Sequence, residues 1–520
     1  MNGFPKRWND AFDVVVVGYG YAGAIAAIEA CDAGCKVLLI EKMPYPGGIS
    51  ICSGGNVRIA DDAELAFAYL KATSADTTPD DVLHALAVGM TEVPAYFKRL
   101  AVAANATVDG RHSPGNYPFT GVDIDIFGYI SIDTVANLDV ADVYPNVSSY
   151  LPPDRAAGAR LFKVLEDNIA LRDIVIRLGT PAKRLITDAS GAVCGITVET
   201  KNGTRNIKTN HAVILACGGF EADSEMQRQY WQEKPVLPVA FSGNTGDGIR
   251  MAQAAGADLW HMWHYHGTYG VKHPDPDYPY GVRVKRLPDW VPGRGAREGV
   301  KVPWIIVDRN GRRYMNEYQP YTQDTSARPM ALFETLTQSY PRIPSLMVFD
   351  DNARGTYPLC APTFNDPNLA FDYSPEALQE LEDRIVRKVE TFDDLVAALD
   401  VEADVLRESL DRWNVFCDAD RDSDHGRPPS SMMKIEKAPF YYAEVWPLCQ
   451  NTHGGPVHNV HQQVINGFGD TIPRLYAAGE LGGVFGHLYL AGGNLAECFV
   501  GGWIAGRHAA GLEPWYGADD

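Results

Sequence analysis

The chain has 520 residues, 46% apolar and 22% charged, the values of a folded globular protein too long for a single hydrophobic core. Its formal charge of −20 excludes nucleic acid and anionic membrane surfaces as main partners, because both would repel it at long range. No stretch reaches the roughly 18 consecutive apolar residues of a membrane span, and Met1 to Asp13 lack the apolar run of a secretory signal, so the expectation is a cytoplasmic protein with no membrane span.

Val14 to Val17 is a continuous β-branched run that stops at Gly18, the pattern of a strand buried on both faces. Ala22 to Asp32 reads as a helix, and Lys36 to Ile40 as a second strand ending at Glu41, which completes a βαβ unit. Helical spacing recurs over Arg160 to Leu178. Ala182 to Thr200 then alternates like strands of a small sheet around the turn Asp188 to Gly191. Another buried strand, Ala212 to Ala216, runs into Cys217-Gly218-Gly219. From about Ala257 the composition shifts to Trp, His, Pro and Tyr, and the last segment returns to glycine-rich turns and a helix near Asn494 to Ala510. These elements predict an α/β fold: a discontinuous Rossmann-like domain formed by 1–256 and 449–520, with an inserted α+β capping domain over 257–448.

Nine scattered cysteines form neither a disulfide framework nor a Cys-x-x-Cys metal pattern, and Cys31 and Cys35 are expected to pack. The histidines at 261, 264 and 266 suggest metal ligands by count alone, but their tryptophan-rich setting favours pocket lining, and no metal is expected.

Gly18-Tyr19-Gly20-Tyr21-Ala22-Gly23 is a G-x-G-x-x-G run placed after a buried strand and at a helix start. Gly18 permits the turn, Gly20 lets backbone approach a pyrophosphate, and Gly23 lets helix pack on strand, while Tyr21 and Ala22 open the helix whose dipole favours the anion. Glu41, followed by Lys42, is placed to accept hydrogen bonds from an adenosine ribose. A second run, Pro46 to Gly55, brings Gly47, Gly48, Ser50, Ser53, Gly54 and Gly55 to wrap a pyrophosphate and a flavin, which favours FAD over NAD.

With these runs the sequence resembles the fumarate reductase and 3-ketosteroid dehydrogenase superfamily of FAD enzymes over most of its length. The resemblance rests on Gly-Gly-x-Ser at Gly47 to Ser50, Ala216-Cys217-Gly218-Gly219-Phe220, Gly246-Asp247-Gly248-Ile249, Leu475 to Glu480, and Gly492-Gly493-Asn494-Leu495. It implies FAD contacts also from Ala182, Ala216, Gly218, Gly219, Asn244 and Asp247. Gly479 and Glu480 should follow the ribityl chain, and the helix start at Asn494 and Leu495 should face the pyrimidine edge of the ring system. No histidine occurs between Pro44 and Asn56, where covalently flavinylated members carry one, so non-covalent FAD is expected.

The fumarate-reducing branch has an arginine after its Asn-Glu pair, another before Gly-Gly-Asn, and paired histidines before Thr-x-Gly-Gly. Here those segments read Asn316-Glu317-Tyr318 to Asp324, Tyr489-Leu490-Ala491 and Gln450-Asn451, without any of these residues, although His266 and Thr268 echo part of that site. The segments look more like the ketosteroid branch. By that resemblance Tyr321 is the base, Tyr489 with the Gly492 N–H binds the substrate ketone, and Tyr117 assists. The implied reaction desaturates a cyclic ketone to the enone, with proton loss at the α carbon and hydride transfer from the β carbon to flavin N5. A held ketone makes the α proton acidic, and a phenol with a backbone N–H can stabilise the enolate oxygen. Arg294 and Arg297 lie on a glycine-rich loop suited to clamp a carboxylate, as a 4-oxocyclohexanecarboxylate-like substrate would present. A 3-ketosteroid and a small alicyclic ketone remain equally open. The alternatives are an ene-reductase acting on an activated alkene, and a non-catalytic flavin carrier. Either way an unidentified electron acceptor or donor is the expected partner.

Overall fold

The structure, a computed structural model, describes residues 5, 7–138, 157–284, 301–318, 322–354, 359–360 and 375–515. The chain divides into two compact units, one formed by 1–226, 241–264 and 451–520, the other by 227–240 and 265–450.

In the first unit the valine run becomes strand β1 (Asp10–Val17), with Val14, Val15 and Val16 fully buried. A parallel sheet admits such a run because helices cover both of its faces. The β1 strand lies between β2 (Val37–Ile40) and β9 (Gly203–Leu215), parallel to both. The sheet extends beyond β2 through β6 (Ile174–Arg177) and beyond β9 through the strand Thr471–Ala477, again parallel. The expected helix over Arg160 to Leu178 is thus corrected: the helix is Ala157–Ala170, and Ile174–Val175–Ile176, a β-branched run, supplies the strand beside β2. Residues 182–200 form β7 (Ala182–Thr187) and β8 (Val193–Thr200), which pair antiparallel with each other and join the main sheet through β9.

Helix α1 (Tyr21–Asp32) is apolar almost throughout, and the C-terminal helix (Gly493–Ala510) packs along it. Their backbones approach closely: a Cβ on Gly502 would stand 2.8 Å from Ala22 O, and one on Gly506 2.5 Å from Ala26 O. A second, three-stranded antiparallel sheet of the same unit sets β5 (Phe127–Thr134) between β3 (Val57–Ala60) and β4 (Thr107–His112).

The second unit is built on a seven-stranded sheet whose long member, Phe440–Thr452, pairs antiparallel with Ser345–Asp350. Side chains alternate between two cores, as period-2 geometry requires. Ile306, Met347 and Phe349 face one core with Trp304 and Tyr318. Ile305, Val307, Leu346 and Val348 face the other, covered by Leu395, Leu406 and Trp413 from two helices. No helix among the described residues is long and apolar enough to cross a membrane.

Candidate active site

The turn after β1 is shaped by two glycines. Gly18 has φ +106°, and a Cβ there would sit 2.2 Å from Ala216 O; a Cβ on Gly23 would sit 1.9 Å from Gly18 O. Only hydrogen fits at either place. Gly20 caps α1 without a side-chain hydrogen bond, and the first turn carries no acidic residue, so the positive end of the helix stays open to an anion. The Tyr21 N–H donates to Ser50 Oγ at 3.0 Å, joining the second glycine-serine run to the first. Buried Glu41 accepts from the Tyr19 N–H at 3.0 Å and the Met43 N–H at 2.9 Å, while burial lifts its carboxyl above the usual range. Lys42 Nζ is held by Asp247 Oδ2 at 2.6 Å and Thr245 Oγ1 at 2.8 Å.

These groups surround a cavity with about 780 Å³ of empty space, part of it open to solvent. Gly18, Gly20, Tyr21, Ala22, Glu41 and Lys42 line it, joined by Gly48, Ser50, Ala182, Ala216, Gly218, Asn244, Asp247 and Glu480. The remaining expected contacts are not on its wall. Gly23 lies inside the helix turn. The Gly47 N–H donates to Tyr19 O, Ser53 Oγ pairs with Tyr21 Oη at 3.2 Å, and Gly54 is exposed. Gly55 abuts the Ala157 backbone, Gly219 fits beside Thr452 Oγ1, and Gly479 beside Ala22. Leu495 is half-buried in the first turn of the C-terminal helix. Asn494, in the same turn, is buried with no hydrogen-bond partner for Nδ2 or Oδ1 among the described residues. An orphaned carboxamide is costly unless a ligand meets it, and Cys498, one turn on, lines the cavity. Thr180, Pro181, Phe241 and Cys498 also line the wall, without any glycine-type signal in the sequence. An open helix N-terminus, a ribose-height carboxylate and an unpartnered amide are together a fit for FAD.

At the cavity wall, Asn244 Nδ2 donates to Glu221 Oε1 at 2.7 Å and to Glu480 Oε2 at 3.0 Å. The Thr452 N–H also donates to Glu480 Oε1, at 3.0 Å. Burial raises both carboxyls, and the charge of Glu480 raises Glu221 further. Two buried carboxylates on one amide oppose each other's ionisation.

Tyr489 is buried, and burial raises its phenol. The Gly492 N–H, expected to face a substrate carbonyl, donates to Tyr489 Oη at 2.9 Å. Tyr117 is buried in the same unit, its N–H donating to Tyr69 Oη at 3.1 Å, and the adjacent Asn116 Oδ1 accepts the Ala491 N–H at 2.7 Å. His261 and His264 bond the carbonyls of Gly483 and Phe485 through Nδ1, at 2.7 and 2.5 Å. His264 stacks on His453 at 4.6 Å, and His453 lies 5.6 Å from Tyr489 between ring centroids. His453 and the buried Glu497, both beside Gly483, are residues that sequence reasoning did not single out. His266 is buried in the second unit, as is Thr268, which shares a hydrogen bond with Ser326 at 2.9 Å. Tyr321, Arg294 and Arg297 lie outside the described residues. The segment leading to Tyr321 is anchored by fully buried Glu317, which takes bidentate hydrogen bonds from Arg313 (3.0 and 2.9 Å) and one from Arg427 (3.1 Å). Against burial, which raises it, the two guanidiniums hold that carboxyl below its ordinary value.

A family profile described as "FAD binding domain" matches residues 13–495, and the chain belongs to that family. Among curated proteins it is 29% identical over 510 residues to a fumarate reductase (cytochrome) of Shewanella frigidimarina, covering 96% of this chain and 77% of that one. It is 27% identical over 583 residues to a 3-oxosteroid 1-dehydrogenase of Mycobacterium tuberculosis, covering 96% and 98%. Among solved structures, a 3-ketosteroid Δ1-dehydrogenase from Sterolibacterium denitrificans superposes with a TM-score of 0.78 at 22% identity, covering 96% of this chain and all of the other. The protein is an FAD-dependent oxidoreductase of the group that holds fumarate reductases and ketosteroid dehydrogenases.

Proposed function

We propose that this oxidoreductase desaturates a cyclic ketone to the α,β-unsaturated ketone. The observation that carries the reading is the buried Tyr489 phenol in the turn that opens the C-terminal helix, at a position where a dicarboxylate site would need a cation. Its hydroxyl accepts the Gly492 N–H, and in this reading the phenol O–H donates to the ligand oxygen. Bound FAD supplies a two-electron acceptor for the hydride leaving the β carbon. Tyr321 takes the proton from the α carbon, and the charge that builds on the carbonyl oxygen is met by Tyr489 and the positive end of the helix. A donor so placed contributes roughly 3–4 kcal/mol to the transition state. The steroid dehydrogenase relative, aligned over nearly the full length of both chains, supports this class of substrate.

The fumarate reductase relative favours a second reading, reduction of an activated alkene with electrons from a partner. Against it, Asn316 to Asp324 holds no arginine and Gln450-Asn451 no histidine. Anaerobic mixing of the yellow protein with 3-ketosteroids and small cyclic ketones, with and without a carboxylate, distinguishes the two. Bleaching of the flavin by one class, lost in Tyr321→Phe and slowed about 100-fold or more in Tyr489→Phe, supports desaturation. Reoxidation of the pre-reduced flavin by an enone or acrylate, without bleaching by any ketone, assigns the reductase. Neither response would leave a flavin carrier.

A further inference from the structure

Arg58 is fully buried on β3, yet no carboxylate pairs with it among the described residues. Its guanidinium donates instead to neutral oxygens: Nε to Ala491 O at 2.6 Å, Nη1 to Ser113 O at 2.8 Å, and Nη2 to Tyr129 Oη at 2.5 Å. A buried cation without a counter-charge is expensive, and the other three residues of this strand, Val57, Ile59 and Ala60, are apolar. The three-stranded sheet places it with care. Arg58 and Tyr129 are directly opposed on β3 and β5, and Arg111 opposes Tyr129 from β4. Both guanidiniums stack on the Tyr129 ring, at 4.0 and 5.3 Å from its centroid.

Tyr129 adjoins the turn that carries Tyr489. A Cβ on Gly492 would stand 2.7 Å from Tyr129 Cε1, the Arg58 backbone N–H donates to Gly492 O at 3.2 Å, and Tyr129 adds to the burial that raises the Tyr489 phenol. Because Tyr129 Oη accepts from a guanidinium, its own proton points elsewhere, and no described hydrogen bond uses that proton. A hydroxyl that accepts from a cation is a stronger donor through its remaining O–H. The Gly492 N–H is committed to Tyr489.

We propose that Tyr129 is the second donor of the carbonyl-binding subsite, beside Tyr489 and in place of the Gly492 amide, and that Arg58 is the positioning residue that orients it and offsets charge building on the substrate oxygen. The ligand class is a neutral carbonyl that becomes an enolate, or a planar enolate mimic such as a phenolate. The inference rests on the ketone reading above.

The probe is 4-nitrophenol, added to the oxidised holoenzyme, with affinity and the ionised fraction of the bound phenol read from difference spectra at pH 7. Tyr129→Phe should keep the flavin spectrum and melting temperature of the wild type, weaken binding roughly 10- to 100-fold, and lower the ionised fraction. Arg58→Lys, which keeps the charge but loses the planar fork, should lower the ionised fraction less. If Tyr129→Phe and Arg58→Lys match the wild type while Tyr489→Phe loses the phenolate, Tyr129 has no part in the subsite and the ketone reading stands. If the wild type ignores the phenol, or all three variants match it, both the inference and the ketone reading fall.

Discussion

At the scale of single residues, burial decides the protonation of the carboxyls behind the cavity. Glu497, fully enclosed, is pushed up to about 8 by desolvation, opposed by the hydrogen bond from the Val484 N–H. Its folded value lies above the unfolded one, so the native state holds a proton that the unfolded chain releases between pH about 4.5 and about 8. Stability from this group is therefore complete below about pH 4.5 and is lost as pH rises through that window. Glu497→Gln, which is neutral throughout, should melt with a shallower decline than the wild type when melting temperature is followed from pH 5 to 9. An unchanged slope would mean that the carboxyl is ionised in the native protein. None of this was legible in the sequence, because Glu497 belongs to no motif and its enclosure is made by the turn at Gly483 and Val484.

At the scale of elements, the turn from β1 into α1 was legible because each of its glycines answers a steric demand visible in the pattern alone. Gly23→Ala places a methyl carbon against Gly18 O, and the variant should purify without yellow colour or with a small fraction of the wild-type flavin content. The strand β6 was not legible, since Ile174 to Arg177 follow a helix with only Leu171 to Asp173 between, and a helical period runs through both. Nor was β3: four residues with an arginine among them carry no strand signature, and only the pairing with β5 gives Arg58 its surroundings. In the second unit, Glu317→Ala leaves the buried Arg427 guanidinium without a carboxylate and Arg313 with Asp422 alone. The expected cost is about 3–5 kcal/mol, read as a large fall in melting temperature or in soluble yield, whereas a surface Glu→Ala control should shift it little.

At the scale of the whole molecule, the alternation of βαβ pattern and aromatic-rich composition marked two kinds of sequence, but the placement of 227–240 with the second unit was hidden. Its strand is only Leu237–Pro238, paired with Leu448–Cys449, too short for any periodicity. The cofactor supports a test at this scale. With no histidine between Pro44 and Asn56 to attach it, FAD should appear wholly in the supernatant after acid precipitation. Re-addition to the apoprotein should raise its thermal stability, by about 4 kcal/mol at a thousandfold excess over Kd. Flavin retained in the precipitate would show a covalent bond to another residue.

The central sheet also imposes a schedule on synthesis. Strand β9 ends at Leu215, but its parallel neighbour Thr471–Ala477 and the helix that covers α1 are encoded on the order of 260 residues later. At ~5–20 residues per second the nascent chain carries an open β9 edge and an uncovered apolar helix for roughly 15–50 s. Over that interval the half-built nucleotide-binding unit presents a template for wrong strand pairing, so its yield in the cell should respond to translation speed and chaperone supply more than its final stability would suggest.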